Sequence, residues 1–585
     1  MNIGISRKFD HPLLRKYTRL VHEDLSATYS RDLNKWLFIA PIIGVTTGLV
    51  CTLIVRIILV WLWPRLRHLY FVHPLTIIPG LVIGFVIAGL IMQYCARDPN
   101  EHSTEEVIRS YHEHQGDIDM RAYVPKLIAA IATVGFGGSA ALEGPSIYGG
   151  GGLGSWLWAK LRRFHLEPYD RRIMLMSGAA AGMAAVFRAP LTGLVFALEM
   201  PYKDDLAHEA LLPSLISSVV AYAVLVSFVG AKPLFDFVGV NTYSRQDLLW
   251  SALLGVLSGL FVMAFDITFR RARTFMVQAP IPHWVKMGIG GALTGICGLI
   301  FVSIFHADIM PLGPNYGAVA RILQSHYGSF ELVVFGILKL AGTICSLGVG
   351  GVSAMFVPLF LSGGSFGAAF AQSVVRTPAV DLFGAVGMAA FIAAGYKTPL
   401  AAVIFVAEAT GGHGYLVPTL IGAAIAYAVS GEASVSGDQR LHEGVKIAEL
   451  WRVPVHEVMQ TQVISIEASS SLREFVDSVT IHHRHAAFPV YEHGELSGTI
   501  SLWSMGKVSP QKWAQTPVRD VTDRDVIKVQ PDCDLTEALR LLMRQRAQHM
   551  LLVTSSDGKL EGILTKTDIL SALHSRPRNG NSSVP

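Results

Sequence analysis

Long apolar runs without charge, separated by short polar stretches, fill this chain from about residue 35 to about residue 440. Residues 36–55 and 75–95 each run about 20 residues without an acid or a base, enough as helix to cross roughly 30 Å of hydrocarbon. Residues 210–230, 248–265 and 287–305 have the same character. From residue 453 the pattern changes: strand-like runs at 487–491 and 549–553 alternate with a helical pattern at 535–545, as in a compact α/β domain. The expected organisation is a polar arm at 1–34, a membrane domain at 35–440 and a linker at 441–452. A soluble region follows, with two similar parts at 453–509 and 517–575, and then a disordered tail at 576–585.

Composition sharpens that picture. Hydrophobic residues make up 51% of the chain and charged residues 16%, against roughly a quarter charged in soluble domains. The net charge of +4 is spread along the chain, which points to no nucleic-acid partner. Arg7, Lys8, Arg15, Lys16, Arg19, Arg31 and Lys35 crowd the first 35 residues, which lack the apolar core and cleavage site of a signal peptide. The positive-inside rule therefore puts this end in the cytoplasm, and the loop carrying Arg162, Arg163, Arg171 and Arg172 on the same side. The five cysteines form no CxxC pair, so neither a disulfide framework nor a metal site is expected.

The membrane part repeats internally. The run 190–199, from Pro190-Leu-Thr-Gly to Glu199, lines up with 399–408, from Pro399-Leu-Ala-Ala to Glu408. Upstream, Glu143-Gly-Pro145 with its glycine-rich run from Gly150 to Gly154 lines up with Phe356-Val-Pro358 and the run from Gly363 to Gly367. Transporters built from two repeats bind their cargo where the repeats meet, near the membrane midplane.

The segment Gly135-Phe-Gly-Gly-Ser-Ala-Ala-Leu-Glu-Gly-Pro145 places one carboxylate at the end of a glycine-rich break. A carboxylate at membrane depth is costly and usually faces an ion path. Gly144 and Pro145 suit the first turn of a helix, whose unpaired N–H groups and dipole attract an anion without a buried base. Glu143 is then a tethered anion standing where a free anion binds; the competing reading is a carboxylate that only caps a helix. Ala354-Met-Phe-Val-Pro358 is the repeat partner, with the Met355 and Phe356 N–H groups facing the same anion, or simply a helix start packed on its twin.

Gly-Gly-Ser-x-x-x-Glu-Gly-Pro, x-x-Phe-x-Pro and the paired Pro-Leu…Glu blocks together resemble the CLC family of chloride channels and proton–chloride antiporters, bacterial type, over 35–440. The resemblance implies an all-α polytopic membrane protein with inverted repeats and broken helices, a homodimer with one pore per subunit in the inner (plasma) membrane, and chloride or another small anion as cargo. It implies Glu143 as the gating glutamate and Gly144, Met355 and Phe356 as anion ligands.

Several positions depart from the family pattern. Glu101-His-Ser-Thr-Glu105 stands where the family has a small-Ser-Gly segment ending in Pro, so His102 falls on its serine and Ser103 beside it. The family's pore tyrosine falls on Ser436, which predicts a looser inner constriction. Ala141 and Leu142 replace a glycine and a base, and Ala354 a glycine. Proton-coupled members usually end the first Pro-Leu…Glu block in two acids, whereas this chain reads Glu199-Met200. Methionine carries no proton, so the sequence favours channel-like conduction, with proton-coupled antiport as the alternative. Glu199 reads as structural because Glu408 repeats it.

The tail repeats as well. Pro454-Val-His-Glu-Val458 matches Pro517-Val-Arg-Asp-Val521, Phe488-Pro-Val490 matches Leu551-Leu-Val553, and Gly498 matches Gly562. This resembles a tandem pair of CBS domains, a small α/β pair that often follows CLC membrane domains. Thr565 and Asp568 match its nucleotide-contacting stretch, implying an adenine nucleotide, whereas the first copy has Ser501 and Ser504 there. His482, His483, His485 and His493 lie on a polar helix and the strand after it, and are not read as a metal site. A rival of another class is a CBS-bearing cation transporter, which should show clustered Asp, Glu or Asn within its spans. An enzyme reading finds no nucleophile–base set.

Overall fold

In hydrocarbon every backbone N–H and C=O must find its partner within the chain, so apolar runs of this length fold as helices. The computed structural model describes residues 12–96, 103–162, 166–230, 235, 242–306, 311–324, 326–410, 413–441, 453–480, 487–505, 508–524, 526–544, 550–555, 557–565 and 567–569. The chain divides into two units, one of residues 25–443 and one of 1–24 with 444–585.

The first half contains α1 Pro12–Val55, α2 Trp63–Val72, α3 Ile77–Cys95, α4 Ser103–Glu113, α5 Met120–Gly135, α6 Glu143–Leu161, α7 Asp170–Phe187, α8 Pro190–Glu199 and α9 Leu211–Val229. The second contains α10 Arg245–Gln278, α11 His283–Phe305, α12 Ala318–Leu323, α13 Ser329–Leu347, α14 Phe356–Phe370, α15 Val380–Tyr396, α16 Pro399–Thr410 and α17 Leu416–Val429. The backbone of the expected polar arm is already helical from Pro12 and continues into the first apolar run as α1.

Among the described residues, six stretches are long and apolar enough to cross a membrane: Asn34–Val72, Pro74–Cys95, His208–Val229, Arg245–Gln278, His283–Phe305 and Ser329–Leu347. Their outer faces expose Phe38, Leu75, Leu249 and Phe330, the side chains a lipid surface accepts. The helices that start at the repeated motifs, α6, α8, α14 and α16, are not among the six. They lie inside, α6 and α14 buried along most of their length.

Glycine sets how closely these inner helices cross. A Cβ on Gly150 of α6 would meet the Gly178 carbonyl of α7 at 2.0 Å, and one on Gly363 of α14 would meet the Gly387 carbonyl of α15 at 2.3 Å. Small residues let backbones touch in membranes, where dispersion replaces the hydrophobic effect. The same crossing thus occurs in each half.

A second device links the halves. The Glu408 carboxylate, on α16, accepts the N–H groups of Leu191 (3.0 Å) and Thr192 (2.7 Å) at the start of α8. Glu199, the last residue of α8, accepts those of Leu400 (3.0 Å) and Ala401 (2.8 Å) at the start of α16. Each helix begins at a proline, which needs no donor partner, and each receives its capping carboxylate from the other.

In the C-terminal unit, β1 Ile466–Glu467 runs parallel to β2 Ala487–Glu492, which pairs antiparallel with β3 Glu495–Ser501. β4 Lys528–Val529, β5 Met550–Thr554 and β6 Leu560–Thr565 repeat the arrangement. Gly498 pairs with Val490 and Gly562 with Val553, the equivalence expected from the motifs. The copies are interleaved: Gln460, ahead of the first sheet, exchanges backbone hydrogen bonds with Ile563 of β6 (2.9 and 3.0 Å), and Asp523, ahead of the second, does so with Thr499 of β3 (2.8 and 2.9 Å).

Candidate functional site

The two glycine-rich breaks run side by side. Ala141 N–H donates to the Ala354 carbonyl at 3.0 Å, a single antiparallel bridge, and the Ser353 hydroxyl donates to the Ala141 carbonyl. Ser139 fastens the first break to α13, through the Ser346 hydroxyl (3.1 Å) and the Lys339 carbonyl (2.9 Å). α6 and α14 therefore begin next to each other, deep in the membrane unit, with the positive ends of their dipoles together.

Glu143 is completely buried at this meeting point. Its Oε1 accepts the Phe356 N–H at 2.7 Å, and its Oε2 has no hydrogen-bond partner. The carboxylate thus rests on the first amide of the opposite repeat's helix. The residue that donates this amide is itself packed among aromatic rings: Phe356 lies 5.3 Å from Phe187, 5.6 Å from Phe196 and 4.9 Å from Phe405, centroid to centroid. A charge–amide hydrogen bond shielded from water is far stronger than one in water.

Met355 is engaged differently from Phe356. Its N–H donates to the Tyr396 hydroxyl at 2.9 Å rather than sharing the Glu143 carboxylate. Tyr396 ends α15, is almost completely buried and packs 5.9 Å from Phe356. An aromatic hydroxyl therefore stands beside the Phe356 amide even though position 436 is serine. Sequence reasoning missed Tyr396; the signal was its place immediately before Lys397-Thr-Pro399, where the first repeat has Phe187 before Arg188-Ala-Pro190. A second tyrosine, Tyr316, is buried and packs 6.2 Å from Phe187, the ring that also lies against Phe356.

The other candidates fall as follows. Gly144 is buried in the first turn of α6. Ser436 is buried in the segment after α17, its N–H on the Ser434 hydroxyl at 3.2 Å, so it orders that segment. His102 lies outside the described residues, and Ser103 is described only as the backbone start of α4. Met200 is fully buried, its carbonyl accepting from Gln439 Nε2 at 3.0 Å. Below it His112 on α4, outside the six candidate spans, holds the Pro201 carbonyl at 2.7 Å, and burial pushes its imidazole down to about 4. In the tail, Asp568 Oδ2 accepts the Thr565 N–H (2.8 Å) and hydroxyl (2.6 Å). Ser501 and Ser504 form the same turn in the first copy, the Ser501 N–H on the Ser504 hydroxyl at 3.0 Å. His493 turns between β2 and β3, and the other three histidines of that group lie outside the described residues.

An anion held on a helix start, far from any surface and between two matching sets of broken helices, defines a membrane transport protein of the repeat-built kind. Residues 83–431 match the family model described as voltage gated chloride channel, and residues 455–505 and 518–575 match that of the CBS domain. The chain belongs to the voltage gated chloride channel family. An uncharacterized protein of Methanocaldococcus jannaschii is 26% identical over 67% of this chain and 92% of its own length. The H(+)/Cl(-) exchange transporter ClcA of Klebsiella pneumoniae is 25% identical over 60% of this chain and 75% of its own. The fold also matches the crystal structure of a CLC-type fluoride/proton antiporter, with a TM-score of 0.60 and 23% identity, over 70% of this chain and 98% of that one.

Proposed function

We propose that this protein exchanges a small anion, chloride by the names of its relatives, for protons across a membrane, with Glu143 as both gate and proton carrier. The observation that carries the reading is the Glu143 carboxylate on the Phe356 N–H with its second oxygen unpartnered. While ionised, Glu143 occupies the amide an anion needs. Once protonated, it loses its hold on that amide and an anion takes its place. Proton and anion occupancy are thereby linked, and linkage of this kind is reciprocal. Gly144, Met355 and Phe356 supply the helix-start surface for the anion. The exchange-transporter name carried by a relative of 25% identity supports the same reading.

Channel-like conduction is the second reading, favoured by Met200, a side chain that does not titrate where coupled family members carry an acid. One measurement separates the two. Purified protein in liposomes, given an outward chloride gradient, should drive protons uphill, and its reversal potential should shift with the proton gradient. Chloride flux with a reversal potential indifferent to pH would leave the channel reading standing. No anion flux above empty liposomes would remove both. A homodimer with one pathway per subunit is part of the proposal, checked by the mass of the purified particle.

A further inference from the structure

If Glu143 moves protons, they must reach it from one side of the membrane, and Met200 cannot relay them. The structure offers another acid. Glu105, in the first turn of α4, is 7% exposed. Its carboxylate pairs with Arg273 of α10 at 2.9 Å and accepts the Gly437 N–H at 3.5 Å. Beside it Asp438 is held by Arg109 at 3.0 Å. Arg273, Arg109 and Asp438 are each about a quarter to a third exposed, so this polar mouth touches water.

The segment carrying Gly437 is bonded in turn to the end of α15. Val435 N–H donates to the Gly395 carbonyl at 2.8 Å, and Gln439 Nε2 to the Tyr396 carbonyl at 2.8 Å. Tyr396 links the two ends of this path: its carbonyl is held by Gln439, two residues beyond Gly437, and its hydroxyl sits on the Met355 amide, next to the Phe356 amide that holds Glu143. Its hydroxyl oxygen receives the Met355 N–H, which leaves its own proton free to point elsewhere, and Glu143 Oε2 has room for one.

We propose that Glu105 is the acid that brings the proton from this mouth to Glu143, with the Tyr396 hydroxyl as relay. The inference rests on the exchange reading above. The step balances: the Tyr396 O–H proton passes to Glu143 Oε2 as the Glu105 carboxyl proton passes to the Tyr396 oxygen. Glu105 is left ionised, Glu143 neutral and the tyrosine unchanged. Arg273 faces Glu105 at 2.9 Å. Asp438 and Tyr396 are the other titratable groups facing it.

The test is the ratio of protons to anions moved by the full-length protein in liposomes. Glu105→Gln should lower proton uptake per anion by about two orders of magnitude while anion efflux continues, and Glu105→Asp should retain coupling. Tyr396→Phe should lower the ratio in the same direction, and decides the matter if Glu105→Gln fails to fold. A native protein that couples, with Glu105→Gln or Tyr396→Phe coupling equally well, overturns this inference and leaves the exchange reading intact. A native protein that moves no protons uphill removes the exchange reading first.

Discussion

The two halves of the membrane unit are most instructive where they differ. Glu199 and Glu408 occupy equivalent places, do equivalent work and cap each other's helix. Glu143 and Phe356 also occupy equivalent places, yet one is an acid and the other donates an amide to it. Phe187 and Tyr396 end α7 and α15 at matching points, each followed by a left-handed residue, Arg188 or Lys397, and only the second brings a hydroxyl. Matched residues hold the scaffold together. The mismatches gather around one buried carboxylate, where two identical halves would put either two repelling charges or none.

The sharpest way to break this contrast is Glu143→Gln, which removes the charge at nearly constant volume. Proton movement should fall to the level of empty liposomes and anion flux should lose its pH dependence. A variant indistinguishable from the parent at every pH would reduce Glu143 to a cap. The matched pair should respond through stability instead. Glu199→Ala removes a buried carboxylate from the amides of Leu400 and Ala401 and should cost about 3 kcal/mol; Glu408→Ala, whose carboxylate is half-buried, should cost about 2 kcal/mol. Thermal melts in detergent measure both, and losses under about 0.5 kcal/mol would deny the caps their role.

The tail allows the same comparison between copies. Millimolar ATP should raise the melting temperature of the full-length protein by about 2–4 °C, Asp568→Ala should abolish the shift, and Ser504→Ala should not. An unchanged melt by both probes and by calorimetry would leave the CBS pair without a nucleotide. The smallest effect concerns His112. Its folded value of about 4 lies below the ordinary 6.5, so between these values the unfolded chain binds a proton that the folded one does not. Stability therefore falls as pH drops from 6.5 toward 4. His112→Asn should flatten the melting temperature across that window, and an equally steep profile would place the acid sensitivity elsewhere.

Much of this was legible in the sequence, for physical reasons. Charge-free runs announce helices because hydrocarbon admits little else, and the doubled Pro-Leu…Glu block announces two halves. The direction of the caps was not legible, since equal spacing does not say that Glu408 serves Leu191 rather than its own helix. Tyr396 was hidden because its partner amide lies 41 residues earlier and its neighbours read as an ordinary helix end. Glu105 drew attention only as part of a departure from a family pattern. Its value depends on Arg273 and Gly437, which only folding brings near. The helices that build the site were less visible than the outer ones, because their glycines dilute the apolar signal while permitting the close crossings.

The exchanged caps also impose an order in time. The amide of Thr192 waits for a carboxylate made 216 residues later, which at 5–20 residues per second means roughly 10–40 seconds of synthesis. Until then the start of α8 sits uncapped, and water, lipid headgroups or the insertion machinery must occupy its amides. α16 has no such delay, because Glu199 already exists when Leu400 and Ala401 emerge. The first half is therefore born incomplete and the second is born onto a template, so a ribosome stalled between them should leave a half-protein that is inserted yet easily degraded.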